Sequence, residues 1–421
     1  MAIERGAGAG GNVNGVSPEL EQAEIDLIEF DKEKDITEFD DGTAIIGEFE
    51  EQTEMMQQPM DFNANLADFV DDGVLGSISN GLMGDIDDDM SSRKEWEENY
   101  KDGLSFLGMK PEDRSQPFEG ASGVVHPLLA ESVTQFQAQA YREMLPAGGP
   151  VRTQIIGAQN PMLSAQAERI KEYMNYQITY EMEEYDPELD QMLFYLPIVG
   201  STFKKVYFDP LLQRAVSKFV YAEDLVVPYA ATDLLTSPRI THIIRMSENE
   251  VKKMQIAGFY RDLDLPSTGS INNLSQVQET VDDIQGVGPS SVNEELTIYE
   301  VHTNLDIEGF EDMGADGQPS GLKLPYIVTI LKETSEVLAI RRNYDENDIL
   351  KKQKQYFIHY KFLPGLGFYG FGLTHMIGGL AQASTSLLRQ LIDAGTLSNL
   401  PAGFKSRGAR IRDEDNPIQP G

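Results

Sequence analysis

The residues of this chain from which chemistry would have to be built are five histidines, a set of carboxylate runs and one glycine-rich hexapeptide. The hexapeptide, Gly365-Leu-Gly367-Phe-Tyr-Gly370, satisfies the GxGxxG spacing of a dinucleotide loop and lies between a strand-like run and a helical one. Its side chains argue against that use. Phe368 and Tyr369 are bulky where a pyrophosphate must approach, and the position about 20 residues on, where an acid should close a second strand, falls inside the helical pattern. A nucleotide-binding enzyme using this segment is therefore the weakest alternative. No Walker lysine loop and no GxSxG elbow is present. His126, His242, His302, His359 and His375 are scattered, without the paired spacing of a zinc helix. Asp85, Asp87 and Asp89 alternate as in a calcium loop but lack its glycine and distal glutamate. Zero cysteines exclude disulfides and thiolate chemistry. The expectation is a protein that is not an enzyme, with no catalytic, metal or cofactor-binding residues and no cofactor.

The elements point elsewhere. From 363 to 404 a Gly-rich turn leads into one long helical pattern. Gly365, Gly367, Gly370 and Gly372 are the candidate hinge. Leu373, Ile377, Leu380, Ser384, Leu387 and Leu391 recur at helical steps as the candidate packing face, and Gly378, Gly379 and Ala383 form a small-residue patch beside it that permits close approach. Arg389 and Asp393, four apart, are candidate channel or neighbour charges. Pro401 and Gly403 stop the helix. Such a helix is built to be packed against.

Composition sets the bounds. The net charge of -35 argues against a protein that grips DNA phosphates over a broad surface. Between Glu19 and Asp89 there are roughly two dozen carboxylates against Lys32 and Lys34, so residues 1–90 read as an acidic, disordered arm. No apolar run reaches the length of a membrane span, and no basic cap precedes an apolar block at the N-terminus.

Ordered structure is expected from Ser92, which has capping-box spacing with Glu95 ahead of Trp96, Tyr100, Leu104 and Leu107. Residues 91–261 then read as an α+β region: helices carrying Leu129, Val133 and Phe136, a helix opened by Asn160-Pro161, a hairpin around Asp209-Pro210, and a capping box at Ser247 and Glu250. Residues 262–294 are polar, a linker or mobile loop. Residues 295–362 form a β-rich insertion, 363–404 the turn and long helix, and 405–421 a basic tail.

This order of parts resembles the portal protein of tailed bacteriophages, in particular those of short-tailed, P22-like phages. The resemblance rests on WEENYKDGLSFLG (Trp96–Gly108), on PFEGASGVVHPLLAESVTQFQAQAYREMLPAGGPVRTQIIG (Pro117–Gly157) and above all on GFYGFGLTHMIGGLAQASTSLLRQLIDAGTLSNLPAGFKSRG (Gly367–Gly408). It implies a portal-like α+β fold, with a helical and β wing, long stem helices and an inserted β-rich clip. It also implies a closed ring of about twelve subunits at one capsid vertex. The implied partners are other copies of the chain, the terminase large subunit, the major capsid and scaffolding proteins, tail adaptor proteins, and double-stranded DNA passing without tight binding. No membrane is implied. The implied location is the virion, after assembly in the host bacterial cytoplasm. In that family a tunnel loop and a crown follow the stem helix, and the 421 residues stop before them, as a fragment would. A head-to-tail adaptor is the alternative within virion assembly.

Overall fold

A computed structural model of the chain describes residues 61–110, 114–158, 160–266, 275–287, 295–313 and 318–399, and the backbone of two short strands before them. The chain divides into two units, residues 1–60 and 61–421. In the first, β1 (Thr37–Glu38) pairs antiparallel with β2 (Ala44–Ile45). The disorder expected of the arm otherwise falls, up to residue 60, outside the described residues, as does the basic tail 405–421.

The second unit begins at Asp61, thirty residues before the expected boundary. Helix α1 (Asp72–Ser92) opens where the Asp71 carboxylate accepts from Gly73 N at 2.9 Å. It buries Leu75, Ser79, Leu82 and Ile86 along one stripe, against Tyr299, Val301 and Tyr326. The acid content that made the segment read as disordered lies mostly off that stripe. Two of its carboxylates, Asp85 and Asp89, are held by Arg239 at 2.6 and 2.7 Å. A stripe at alternating four- and three-residue steps thus prevails over mean composition.

The expected capping box at Ser92 is absent. Ser92 Oγ donates to the Asp89 carbonyl (2.7 Å) within the last turn of α1, and the chain breaks for one residue at Arg93 before α2 (Lys94–Ser105). Tyr100, Leu104 and Leu107 are buried. Helices α3 (Leu128–Met144) and α4 (Pro161–Tyr176) follow, the latter capped by Asn160 and extended by a π-helical turn at Gln177–Glu181. Helix α5 (Tyr185–Val199) packs on α3 and ends at Gly200, whose left-handed φ of 89° turns the chain directly into a strand.

That strand, β3 (Ser201–Asp209), pairs with β4 (Arg214–Val220) as the expected hairpin. A second sheet starts at β5 (Leu225–Val226) and β6 (Arg239–Ser247), after which α6 (Glu248–Ile256) carries the Ser247–Glu250 capping box. The polar 262–294 stretch contains α7 (Gln276–Gln285), packed on α2 through buried Val277. Strands β7 (Glu295–Leu305), β8 (Leu324–Leu331), β9 (Glu336–Arg342) and β10 (Phe357–Lys361) precede the long helix α8 (Leu373–Asn399).

The fold is α+β with two antiparallel sheets, β10-β3-β4 and β5-β6-β7-β8-β9. Their orders correct the picture of 295–362 as a separate insertion. β6 pairs with β7 over its whole length, Arg239 opposite Thr303 through Ser247 opposite Glu295, and β10 returns to β3. Strand pairing cuts across the 261/295 boundary because a run of alternating residues records that it needs a partner edge and not which one. Between the sheets Lys205 Nζ reaches both oxygens of Glu300 (2.6 and 2.7 Å), and His302 Nε2 lies 2.8 Å from the same carboxylate. Burial pushes the Glu300 carboxyl up, but the Lys205 ammonium and His302 together hold it well below the usual carboxylate range.

Candidate subunit interface

Helix α8 is positioned from its first turn. Thr374 Oγ1 donates to the Ile198 carbonyl (2.8 Å) at the end of α5, and His375 Nδ1 accepts from Gly372 N (3.2 Å), occupying an amide at the helix start. Gly378 faces the Phe106 ring, while Gly103 on α2 leaves room for Thr374. Further along, Thr385 Oγ1 accepts from His126 N (3.0 Å), Arg389 Nε donates to the Val124 carbonyl (2.7 Å), and Asp393 Oδ1 accepts from Ser122 N (2.7 Å). Arg114 stands 3.9 Å from Asp393 and donates to the Ser122 carbonyl at 3.1 Å. The buried side of α8 is thus Gly378, Ala381, Thr385 and Asp393, with Thr374 half-buried beside them, a small and polar seam.

This placement divides the residues expected on the packing face. Leu373, Ile377 and Ser384 are half-buried, whereas Leu380, Leu387 and Leu391 are 61%, 67% and 73% exposed. Of the expected close-approach patch, Gly378 is buried, and Gly379 and Ala383 face solvent. Arg389 and Asp393, expected as channel or neighbour charges, both engage the 122–124 segment of their own chain. Thr385 was missed, although polar residues four apart at 385, 389 and 393, on one helix face, were its signal. With both formal charges of α8 engaged by the 122–124 segment, its outer side offers Met376, Leu380, Ala383, Leu387 and Leu391, uncharged over about 22 Å of helix axis.

Three of the four glycines expected as a hinge before α8 sit in close backbone contact. Phe362 N donates to the Gly200 carbonyl (3.0 Å), Gly370 N to Ser201 Oγ (2.7 Å), and Leu363 and Phe371 exchange backbone bonds. A Cβ at Gly370 or Gly372 would collide with carbonyl oxygens of Gly200 or Ile198, and one at Gly365 with that of Tyr369; only Gly367 is open among these four. Phe368 is buried on Phe203, and Tyr369 stacks on Trp96 with centroids 4.2 Å apart. The hexapeptide is a packed corner joining α5, β3 and α8, with its two bulky side chains packed on Phe203 and Trp96.

A second uncovered surface lies on α4 and its π-turn. No residue of α4 is buried, and Met162, Ile170, Tyr173, Tyr176 and Tyr180 are exposed. Asn175 fixes this arm by accepting from Val151 N (2.9 Å) and donating to its carbonyl (3.2 Å), and a cleft of ≈ 790 Å³ opens between the 145–150 turn, α4 and Tyr185. Among the described residues, no group of three or more His, Asp and Glu is placed to hold a metal ion. None of the described helices is long and apolar enough to cross a membrane. Compared with protein-family models and with curated proteins, the sequence matches none.

Proposed function

We propose that this chain is a subunit of a phage portal, a ring at one capsid vertex that provides the channel for DNA packaging and ejection. The observation that carries the proposal is α8: a 27-residue helix whose formal charges both engage its own chain and whose outer side carries an apolar stripe that the described residues leave exposed. Large apolar faces on a protein with 24% charged residues mark a partner surface. A cyclic ring needs a heterologous contact, one face meeting a different face of the next subunit, and α4 supplies a second apolar surface. The Gly367–Gly408 sequence supports the same reading through its resemblance to portal stem segments. The acidic chain suits a tunnel through which DNA must slide without being gripped. The terminase large subunit, major capsid and scaffolding proteins and tail adaptors would then be its partners, and the virion its location.

Native mass spectrometry of the purified chain, with any downstream sequence its gene encodes, tests this directly. A ring of about a dozen copies is expected. A chain that stays monomeric across the accessible concentration range would overturn the proposal.

A further inference from the structure

We infer that the cleft between the end of α3, the π-helical turn after α4 and the start of α5 is a docking site for an arginine side chain carried by a protein partner. The inference is independent of the ring.

The cleft is lined by aromatic rings from three elements. Tyr141 of α3, Tyr176 of α4, Tyr180 of the π-turn and Tyr185 of α5 all border its ≈ 790 Å³. The Tyr176 and Tyr180 rings stack, with centroids 5.7 Å apart and planes 19° from parallel. Aromatic faces carry the negative side of the ring quadrupole, so a group of them attracts cations. The fold already uses one of these rings in that way. Lys204 Nζ, buried and without a hydrogen-bond acceptor among the described residues, sits 4.2 Å from the Tyr185 centroid, and Lys204 is not part of the cleft lining.

The walls are fixed in place. A Cβ at Gly149 would meet the Asn175 carboxamide at 2.5 Å, and the same carboxamide brackets the Val151 backbone, so the 145–150 turn is held against α4. Tyr141 Oη donates to Asp186 (2.6 Å), joining α3 to α5.

Charge selects a cation. Glu168, Glu172 and Asp186 line the cleft against one ammonium, Lys171, which pairs with Glu168 at 2.9 Å. Among the described residues Glu172 has neither an ion-pair nor a hydrogen-bond partner, and Asp186 takes a single side-chain donor, the Tyr141 hydroxyl. Both carboxylates therefore keep acceptor capacity for an incoming donor.

The shape of the site selects arginine on a protein. A guanidinium is flat, stacks on aromatic rings and keeps N–H donors at its edge for carboxylates, whereas an ammonium is compact and strongly hydrated. Tyr176 and Tyr180 are 51% and 74% exposed, so a small free cation on them stays in water, where the attraction is weak. A protein surface closing over the rings excludes that water, and exposed Ile170 and Tyr173 on α4 offer it apolar contact.

Fluorescence anisotropy tests the site, with the full chain and a labelled glycine-serine peptide carrying two arginines, beside the same peptide with two lysines. Saturable binding of the arginine peptide is expected, at least about fivefold tighter than the lysine peptide and weakened at least about fivefold by Glu172→Gln or Tyr180→Leu. Glu183→Gln, an exposed acid outside the lining, is the control and should leave binding unchanged. With 69 acidic residues in the chain, diffuse attraction of a basic peptide responds equally to either glutamate substitution. Unsaturable binding, equal losses in Glu172→Gln and Glu183→Gln, or equal affinity for the two peptides would overturn the inference. Displacement of the arginine peptide by an equal concentration of agmatine would overturn it too, by assigning the cleft to a free guanidinium. Should circular dichroism show that Tyr180→Leu does not fold, Glu172→Gln against Glu183→Gln decides.

Discussion

Arg389 Nε donates to the Val124 carbonyl over 2.7 Å, and this bond is the middle rung of three by which α8 grips an extended segment running the opposite way. Thr385, Arg389 and Asp393 advance four residues at a time along a helix, about 6 Å per step. Their partners His126, Val124 and Ser122 step back two residues at a time, about 6.6 Å in extended chain. The two repeats match closely enough for three successive side chains to reach three alternate backbone groups.

Removing an end rung leaves the Ser122 amide without its acceptor. Asp393→Ala is expected to destabilise the chain by about 1–3 kcal/mol, and Gln390→Ala on the outer side of α8 by no more than about 0.5 kcal/mol. Urea denaturation of the two variants measures the difference. Equal midpoints would mean that the ladder contributes nothing.

Leu380 tests the outer face of α8. Leu380→Asp places a charge on the open apolar stripe and is expected to leave the fold of one chain intact while blocking assembly, since an unpaired charge buried at an interface costs several kcal/mol. Gln382→Asp, outside that stripe, should assemble normally. Sedimentation velocity with circular dichroism separates the two effects, and equal behaviour would place the interface elsewhere.

Gly372 and Gly367 distinguish a packed corner from a hinge. In Gly372→Ala the new methyl meets the Ile198 carbonyl oxygen and stands 2.7 Å from Gly200 N, so a loss of about 3 kcal/mol or more is expected, in line with other overpacked sites. Gly367→Ala meets nothing within 4 Å and should stay within about 1 kcal/mol of the native chain. Thermal melts of both variants decide; similar losses would contradict the corner geometry.

His242 and His359 make the chain acid-sensitive. Burial, assisted by Lys205 in one case and Lys361 in the other, lowers both to about 3 from the ordinary 6.5. Because the folded form binds fewer protons, their contribution is complete above pH 6.5 and is lost as pH falls toward 3. At pH 4.5 each is expected to cost about 2–3 kcal/mol relative to pH 7. His242→Asn should remove about half of that drop in urea midpoint. A drop unchanged by the substitution would show that His242 is hydrated in the folded chain.

The sequence by itself determined the local elements whose cause is local. The Asn160 cap, the Ser247–Glu250 box, the hairpin of β3 and β4 and the Tyr100–Leu104 stripe each depend on residues a few positions apart, and each was legible at that range. So was the length of α8 and the presence of an apolar side along it. Only the tertiary structure decided which side is covered by the chain itself. Leu380, Leu387 and Leu391 look like core from spacing alone, yet the extended 122–126 segment offers amides and carbonyls, and the polar side of α8 turned inward to meet them. The same holds for α1, whose stripe at 75, 79, 82 and 86 finds its covering sheet only through strands more than 200 residues later. It holds also for the glycines near 370, which read as freedom in one dimension and become three backbones in contact in three. Burial, unlike capping, is a property of pairs of segments, and a single chain read in order does not name its pairs.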